Sequence, residues 1–232
     1  MSGAAAGSVA AILAGGRGTR MAAGDAGQGG RRGVDLAAEA HSAVVKGLLQ
    51  VDGERIIDRQ LAVLRPRFAE VLIAANDPAP WAALGLRVVP DRAFDRGPAA
   101  APVRLGPLAG LDAILAALRD DSQSVVCIAG DMPFLQPALV ERLRDAAPGA
   151  LAVVPRVAGQ AEPLLARYAR AVAPVVAEQI AAGRYAMVDL LARLEVTWLD
   201  EPELRALDPE LRSIVNVNTR ADLARLDPPA RS

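Results

Sequence analysis

The sequence contains few cysteines, few aromatic residues and little lysine. The first two shortages limit the disulfides that the chain can form and the side chains that can fill its core. Cys127 is the only cysteine among 232 residues, so no disulfide can form within the chain, which fits a reducing compartment. Aromatic residues make up 3% of the chain, so a core must be built mainly from Ala, Val, Leu and Ile. The net charge of -1 gives no electrostatic reason to expect nucleic-acid binding.

Long apolar runs are also missing from the sequence. No stretch reaches the ~18 consecutive apolar residues that a membrane span needs. Residues 9–13 are apolar, but no basic segment precedes them and they run almost directly into Gly15 and Gly16, unlike a signal peptide. We interpret them as a buried strand, and we expect a cytoplasmic protein that makes no membrane contact.

Short apolar runs alternate with helical patterns along the chain. Five runs do not alternate polar with apolar residues, as expected for strands covered on both faces. They lie at residues 9–13, 70–75, 86–89, 124–129 and 151–154. Apolar residues at three- and four-residue spacing predict helices over residues 56–64 and 108–118, and Pro137 begins another. This order predicts an α/β fold: a three-layer, Rossmann-like, mostly parallel sheet with helices on both faces.

Towards the carboxyl terminus the pattern is less regular. We predict two helices, a strand and a last helix, over residues 172–182, 188–194, 196–199 and 219–226. Residues 22–45 and 93–105 are rich in Gly, Ala or Pro, and we interpret both as long loops, the first being a flexible insertion. We treat residues 1–232 as a single domain with a tail at 227–232.

A glycine-rich loop follows the first predicted strand. Residues 13–21 read Leu-Ala-Gly-Gly-Arg-Gly-Thr-Arg-Met, and such a turn lets backbone N–H groups approach a phosphate while arginines add cationic donors. The glycine spacing differs from the dinucleotide-binding pattern, and no Gly-Lys-Ser/Thr follows as in a Walker A loop. Both a phosphate site and a plain strand-to-helix turn remain open on the glycines alone.

Four further motifs occur in order after this loop. They are Lys-Gly-Leu-Leu at 46–49, Gly-Pro-Leu-Ala-Gly-Leu at 106–111, Gly-Asp-Met-Pro at 130–133 and Val-Asn-Val-Asn-Thr at 215–219. With the glycine loop, they make the chain resemble the molybdenum cofactor guanylyltransferases, the MobA-like nucleotidyltransferases, over about residues 9–226. The resemblance implies a fold of the nucleotide-diphospho-sugar transferase type. It also implies transfer of GMP from GTP to the molybdopterin-bound molybdenum cofactor with release of pyrophosphate, Mg²⁺ as cofactor, and molybdoenzymes or their chaperones as further partners.

The resemblance also assigns roles to residues. Lys46, Arg20 and Asp131 would be catalytic, with Asp131 holding the metal, since a carboxylate at the carboxyl edge of a sheet suits Mg²⁺. Asn216 and Asn218 would contact the acceptor. The nucleotide would be bound by Leu13, Ala14, Gly15, Gly16, Lys46, Asn76, Asp91, Gly106, Pro107, Leu108 and Asp131.

Several points of the assignment have alternatives. Ala74 rather than Asn76 is a possible counterpart of the family's asparagine. The family's lysine follows its Arg-Met pair closely, whereas here the insertion at 22–45 separates Met21 from Lys46. If the insertion displaces Lys46, the chain would be a weak catalyst or a molybdopterin-binding relative of the same fold. Another nucleotidyltransferase of this fold, using CTP or a sugar phosphate, is the closest rival.

Overall fold

The computed structural model describes residues 5–14, 45–92, 106–119 and 122–217. Their centre is one large sheet, and a two-stranded hairpin lies apart from it. The hairpin strands are β2 (Gln50–Val51) and β3 (Glu54–Arg55). The strands of the large sheet are β1 (Ala5–Leu13), β4 (Phe68–Ala74), β5 (Arg87–Val89), β6 (Ser124–Ala129), β7 (Ala152–Val157), β8 (Gln160–Ala161), β9 (Leu165–Ala169) and β10 (Val196–Asp200).

The sheet order is β10-β7-β9-β6-β1-β4-β5, with β8 paired to β7. Six of these strands run in one direction, while β9 is antiparallel to both β6 and β7, and β8 is antiparallel to β7. The predicted mostly parallel α/β sheet is therefore confirmed. The sequence patterns did not predict β8 or the reversed strand β9.

Helices cover both faces of the sheet. They are α1 (Ile56–Leu64), α2 (Gly106–Ala117), α3 (Pro137–Asp145), α4 (Ala173–Ala181), α5 (Met187–Leu191) and α6 (Glu201–Leu207). Within the described residues, 3₁₀ turns lie at Lys46–Leu48, Ala79–Leu84, Arg170–Val172 and Arg212–Ile214. Proline occupies the first turn of α3, α4 and α6. Backbone N–H groups in the first turn of a helix have no intrahelical partner, so the missing N–H of proline costs no hydrogen bond there. In the described part of the chain, none of the helices has both the length and the apolar character needed to cross a membrane.

Residues of β1 show how the sheet divides the core into two layers. Ala10 and Ile12 pack with side chains of α1, α3 and α6, whereas Val9 and Ala11 pack on the other face with α2, α4 and α5. All four side chains are almost fully buried, because successive residues of a strand point to opposite faces and both faces are covered. This is the predicted three-layer arrangement.

Candidate functional site

Four parallel strands of the sheet end in one row. Leu13 at the end of β1 is level with Ala74 of β4 and Ala129 of β6, and Ala74 is level with Val89 of β5. Backbone hydrogen bonds continue the pairing beyond the strands: Ala14 N donates to Ala74 O at 3.0 Å, and Gly130 N donates to Leu13 O at 3.1 Å. The predicted site residues that follow these strands therefore emerge along one edge, where doubly wound sheets bind their ligands.

Lys46 and Asp131 lie in direct contact at this edge. Lys46 Nζ is 2.9 Å from Asp131 Oδ2, although the residues are 85 positions apart. The side chains are 22% and 16% exposed, so both are largely shielded while still reachable from solvent. The long insertion therefore does not keep Lys46 away from the predicted metal ligand. Lys46 is also the only lysine in the sequence.

Close packing seats the turn that carries Lys46. Gly47 is buried, and a Cβ built there would lie 3.1 Å from the indole Cη2 of Trp81 and 3.4 Å from the carbonyl oxygen of Gly130. Trp81 is 2% exposed and belongs to the 3₁₀ turn after β4. A methyl group at position 47 would require the indole of Trp81 or the turn that carries Lys46 to shift by a few tenths of an ångström.

Asp131 is held by its backbone neighbours as well as by Lys46. Its carbonyl oxygen accepts a 2.8 Å hydrogen bond from Val217 N, which fixes the Val-Asn-Val segment beside the Asp131 loop. Gln60 of α1 donates from Nε2 to Ala129 O at 2.8 Å and to Met132 O at 3.0 Å, on either side of Gly130 and Asp131. Sequence reasoning missed Gln60. The feature of the sequence that could have identified Gln60 is a polar residue on the otherwise apolar, buried face of a helix.

Asn76 and Asp91 form a reciprocal pair at the ends of β4 and β5. Asn76 Nδ2 donates to Asp91 Oδ2 at 2.9 Å, and Asp91 N donates to Asn76 Oδ1 at 2.8 Å. The side chain of Ala74, the alternative counterpart of the family's asparagine, is buried against Gly110. Of the two residues, Asn76 is therefore the one whose side chain reaches the carboxyl edge of the sheet. The two predicted nucleotide-binding residues thus form one polar unit.

The amino-terminal half of α2 lies over the ends of β1 and β4. A Cβ at Gly110 would be 3.4 Å from both Ala74 Cβ and Leu13 Cδ2, so the glycine permits this approach. Gly106 begins the helix with φ +63, a backbone conformation that glycine adopts without strain. Leu108, which the resemblance assigned to the nucleotide, is fully buried in the core, with none of its surface open to solvent.

A buried carboxylate lies further along α2. Asp112 is 1% exposed, and its oxygens are 3.3 and 3.4 Å from Nη1 of Arg92, which follows Asp91 by one residue. Burial raises the pKa of Asp112, and the neighbouring guanidinium of Arg92 opposes that rise. The contact ties the segment after β5 to α2.

The acceptor-binding prediction is only partly within the described residues. Val215 and Val217 pack with Val51, Ile56 and Phe134, and the half-buried Asn216 lies between them. Its Nδ2 is 3.5 Å from the carbonyl oxygen of Ile214. Asn218, Arg20, Gly15, Gly16, residues 22–44, the last helix predicted over 219–226 and the tail fall outside the described residues.

Two other titratable groups near this edge are affected by burial. Burial raises the pKa of Glu162, which precedes β9 close to the end of β6. Burial also raises the pKa of the Cys127 thiol to about 12, so this residue of β6 is a small core residue, as expected, and not a thiolate.

The donor set at the edge fits a magnesium ion that is completed by substrate. Asp131 offers carboxylate oxygens, and within the described residues no group of three His, Cys, Asp or Glu side chains surrounds a common point. Mg²⁺ usually takes one or two carboxylates and fills its remaining positions with phosphates and water. A single carboxylate beside a lysine therefore suits binding of a metal–triphosphate complex.

Comparison with known proteins identifies the family of the chain. Residues 10–201 match the MobA-like NTP transferase domain. A probable molybdenum cofactor guanylyltransferase of Pelotomaculum thermopropionicum is 32% identical over 180 residues, which are 78% of this chain and 82% of that protein. One from Methanosarcina mazei is 32% identical over 225 residues, covering 94% of this chain and 88% of that protein. The solved structure of molybdopterin-guanine dinucleotide biosynthesis protein A from Archaeoglobus fulgidus is 26% identical, has a TM-score of 0.68, and covers 94% of this chain and 96% of that one.

Proposed function

Because the chain belongs to the MobA-like NTP transferase family, we propose that it is a molybdenum cofactor guanylyltransferase. It transfers GMP from GTP to the terminal phosphate of the molybdopterin-bound cofactor and releases pyrophosphate. The observation that carries the proposal is the contact of Lys46 with Asp131 at the carboxyl edge of the sheet. The relatives named for this activity favour it over the CTP-using and non-catalytic alternatives.

The reaction needs charge compensation more than covalent chemistry. An oxygen of the acceptor phosphate forms a bond to the α-phosphorus of GTP, and the bond from that phosphorus to the bridging oxygen of pyrophosphate breaks with its electron pair. Both reactants are anionic, so the ammonium of Lys46 lowers the repulsion between them and stabilises the charge that develops on pyrophosphate. The acceptor phosphate is already ionised, and no general base is required.

Asp131 is the residue that would hold Mg²⁺. When bound there together with the triphosphate, Mg²⁺ would supply further charge neutralisation. Asn76 and Asp91, the start of α2 and the end of β1 form the remaining described edge and would position the nucleotide. Asn216, beside the Asp131 loop, would contact the acceptor. A cytoplasmic location and delivery of the product to molybdoenzymes or their chaperones complete the proposal.

The test follows labelled GMP from GTP into the dinucleotide cofactor, together with pyrophosphate release, in the presence of molybdopterin and Mg²⁺. Lys46→Met and Asp131→Asn remove one charge each while nearly keeping side-chain shape, and each is expected to lower kcat by about 100-fold or more. The matched control is Asp189→Asn on α5, an exposed carboxylate, which should retain wild-type rates.

Nucleotide choice is tested separately by thermal shift with GTP, CTP, ATP and UTP in the presence of Mg²⁺. Preferential stabilisation by GTP is expected. Stabilisation by CTP alone would refute the guanine assignment, and GTP binding without pyrophosphate release would indicate a carrier of molybdopterin. Full activity of Asp131→Asn would overturn the metal assignment.

A further inference from the structure

We propose that Gln60 is a positioning residue that sets the geometry of the loop carrying Asp131. Gln60 is on α1, where Ile56, Ile57, Leu61 and Leu64 form the buried face of the helix. These apolar residues recur at the helical spacing, and Gln60 occupies the same face with none of its surface exposed. A polar side chain at a core position therefore points at a specific partner.

That partner is the backbone of the catalytic loop. The two N–H groups of the Gln60 amide bind the carbonyl oxygens of Ala129 and Met132 at 2.8 and 3.0 Å. Gly130 and Asp131 are the two residues between these carbonyls. One side chain thus anchors both ends of the short turn from which the Asp131 carboxylate projects.

The other half of the amide points to a role beyond packing. Among the described residues, Gln60 Oε1 is buried and has no hydrogen-bond partner, and such a buried acceptor destabilises the folded state. A methionine of similar length would avoid that cost at Oε1, while it would leave Met132 O without its donor. The glutamine makes two hydrogen bonds to the loop, although its own Oε1 is left without a donor.

The anchoring has a consequence for the charge pair. Lys46 contacts the side-chain carboxylate of Asp131, and Val217 N donates to the backbone carbonyl oxygen of Asp131. A change in the conformation of the turn would therefore move the carboxylate relative to both residues. Displacement of a reacting group by about 1 Å is enough to lower a rate about 100-fold.

Gln179, the other fully buried glutamine among the described residues, provides a matched control for Gln60. Gln179 of α4 also has an unpartnered buried Oε1 in the described structure, and its Nε2 donates to Ala186 O at 3.0 Å, in the connection to α5. Gln60→Met and Gln179→Met therefore make the same chemical change at the same burial. Only the first removes hydrogen bonds from the Asp131 loop.

The first measurement is amide hydrogen exchange of the unliganded protein. The N–H groups of Gly130 and Met132 are hydrogen-bonded to Leu13 O and Ala129 O and report on the turn. In Gln60→Met their exchange is expected to accelerate by about tenfold or more relative to the wild type, because one lost hydrogen bond corresponds to about tenfold and this variant loses two. Gln179→Met should leave these two amides unchanged. Equal exchange in all three proteins would overturn the proposal.

The second measurement rests on the proposed function. In the guanylyl-transfer assay, Gln60→Met should lower kcat by about tenfold or more and raise the Mg²⁺ concentration for half-maximal rate, with little change in KM for GTP at saturating Mg²⁺. Equal losses of rate in Gln60→Met and Gln179→Met would reduce Gln60 to a residue of general stability. If the wild type itself is inactive, the guanylyltransferase proposal fails, whereas the exchange result still decides the role of Gln60.

Gln60→Glu adds a pH readout and keeps the side-chain shape. A glutamate there faces two carbonyl oxygens and would be favoured in its protonated form, which alone has an O–H to donate. The ratio of Gln60→Glu activity to wild-type activity should therefore rise as the pH falls. A ratio that is independent of pH would contradict the hydrogen-bonding role.

Discussion

Gly130 offers a sharp test of how closely the ends of β1 and β6 must approach each other. A Cβ at this position would lie 3.3 Å from Leu13 O, 3.4 Å from Ala14 Cα and 3.6 Å from Ala14 Cβ. The first two contacts are with backbone, which cannot rotate away as a side chain can. The φ angle of Gly130 is not among the positive values, so the requirement for glycine here is one of space.

The size of the effect follows from these distances. Overfilling a packed site costs about 1–3 kcal/mol, while replacing glycine by alanine returns about 0.4–1 kcal/mol by restricting the unfolded chain. We expect Gly130→Ala to lower the free energy of unfolding by about 1–2 kcal/mol. For a chain of this length that corresponds to a Tm lower by about 2–8 °C. The hydrogen bond from Gly130 N to Leu13 O should lengthen, and the rate of guanylyl transfer should fall by more than the loss of stability explains.

The assay is thermal or urea unfolding, with Gly149→Ala as the matched control. Gly149 follows α3, and a Cβ there would meet nothing within 4 Å. The same substitution should leave stability unchanged or raise it by about 0.4–1 kcal/mol. The inferred tight contact between β1 and the Asp131 loop is wrong if Gly130→Ala keeps full activity and has the same Tm as Gly149→Ala, at or above that of the wild type.

Further predictions concern Cys127 and Asp112, two of the groups whose pKa values burial raises. Burial raises the pKa of Cys127 to about 12, so the thiol of the folded protein should not react with thiol reagents at neutral pH. Labelling of Cys127 should proceed only when the protein unfolds. Rapid stoichiometric labelling of the native protein would contradict the burial of Cys127. Burial raises the pKa of Asp112 above that in the unfolded chain, so its contribution to stability is fully present below the unfolded pKa and is lost as the pH rises through the raised value. The free energy of unfolding of the wild type relative to Asp112→Asn, measured in urea, should therefore increase from neutral pH towards about pH 4, and a constant difference would refute the assignment.

Strands and helices with a clear apolar period were predictable from the sequence. The strand predicted at 124–129 is β6 residue for residue, and the helix predicted over 56–64 is α1. Strand β9 was missed because Arg167 lies in its middle. Arg167 is 7% exposed, and its Nη2 donates to the carbonyls of Ala146 and Ala147 at 2.6 and 2.7 Å. In sequence, an arginine that makes such buried hydrogen bonds through Nη2 looks like a loop residue.

Helix α6 was missed for a different reason. It has seven residues, and Leu204 is the one fully buried among them, so no apolar period can build up. Its placement depends on packing against β10 and β7, which local sequence does not encode.

The candidate site was less accessible to sequence reasoning than the fold. Periodicity could place Asp131 after a strand, but it could not bring it to Lys46, which is 85 residues away. The resemblance to a family is what grouped the two residues in one site. The pairing of Asn76 with Asp91 follows from the level ends of β4 and β5, which depend on strand register. Gln60 could have been noticed, because it interrupts an apolar stripe, but its target is a backbone turn that no sequence pattern reveals.

The position of the only lysine affects how this protein can be handled in the laboratory. The other residues with permanently cationic side chains are arginines, which ordinary acylating reagents do not modify. Attachment to a surface or a dye through amines can therefore use only the chain's amino terminus or the ε-amine that contacts Asp131. Amine coupling would accordingly attack the candidate site itself, and the degree of acylation at Lys46 would measure how well a bound nucleotide shields it.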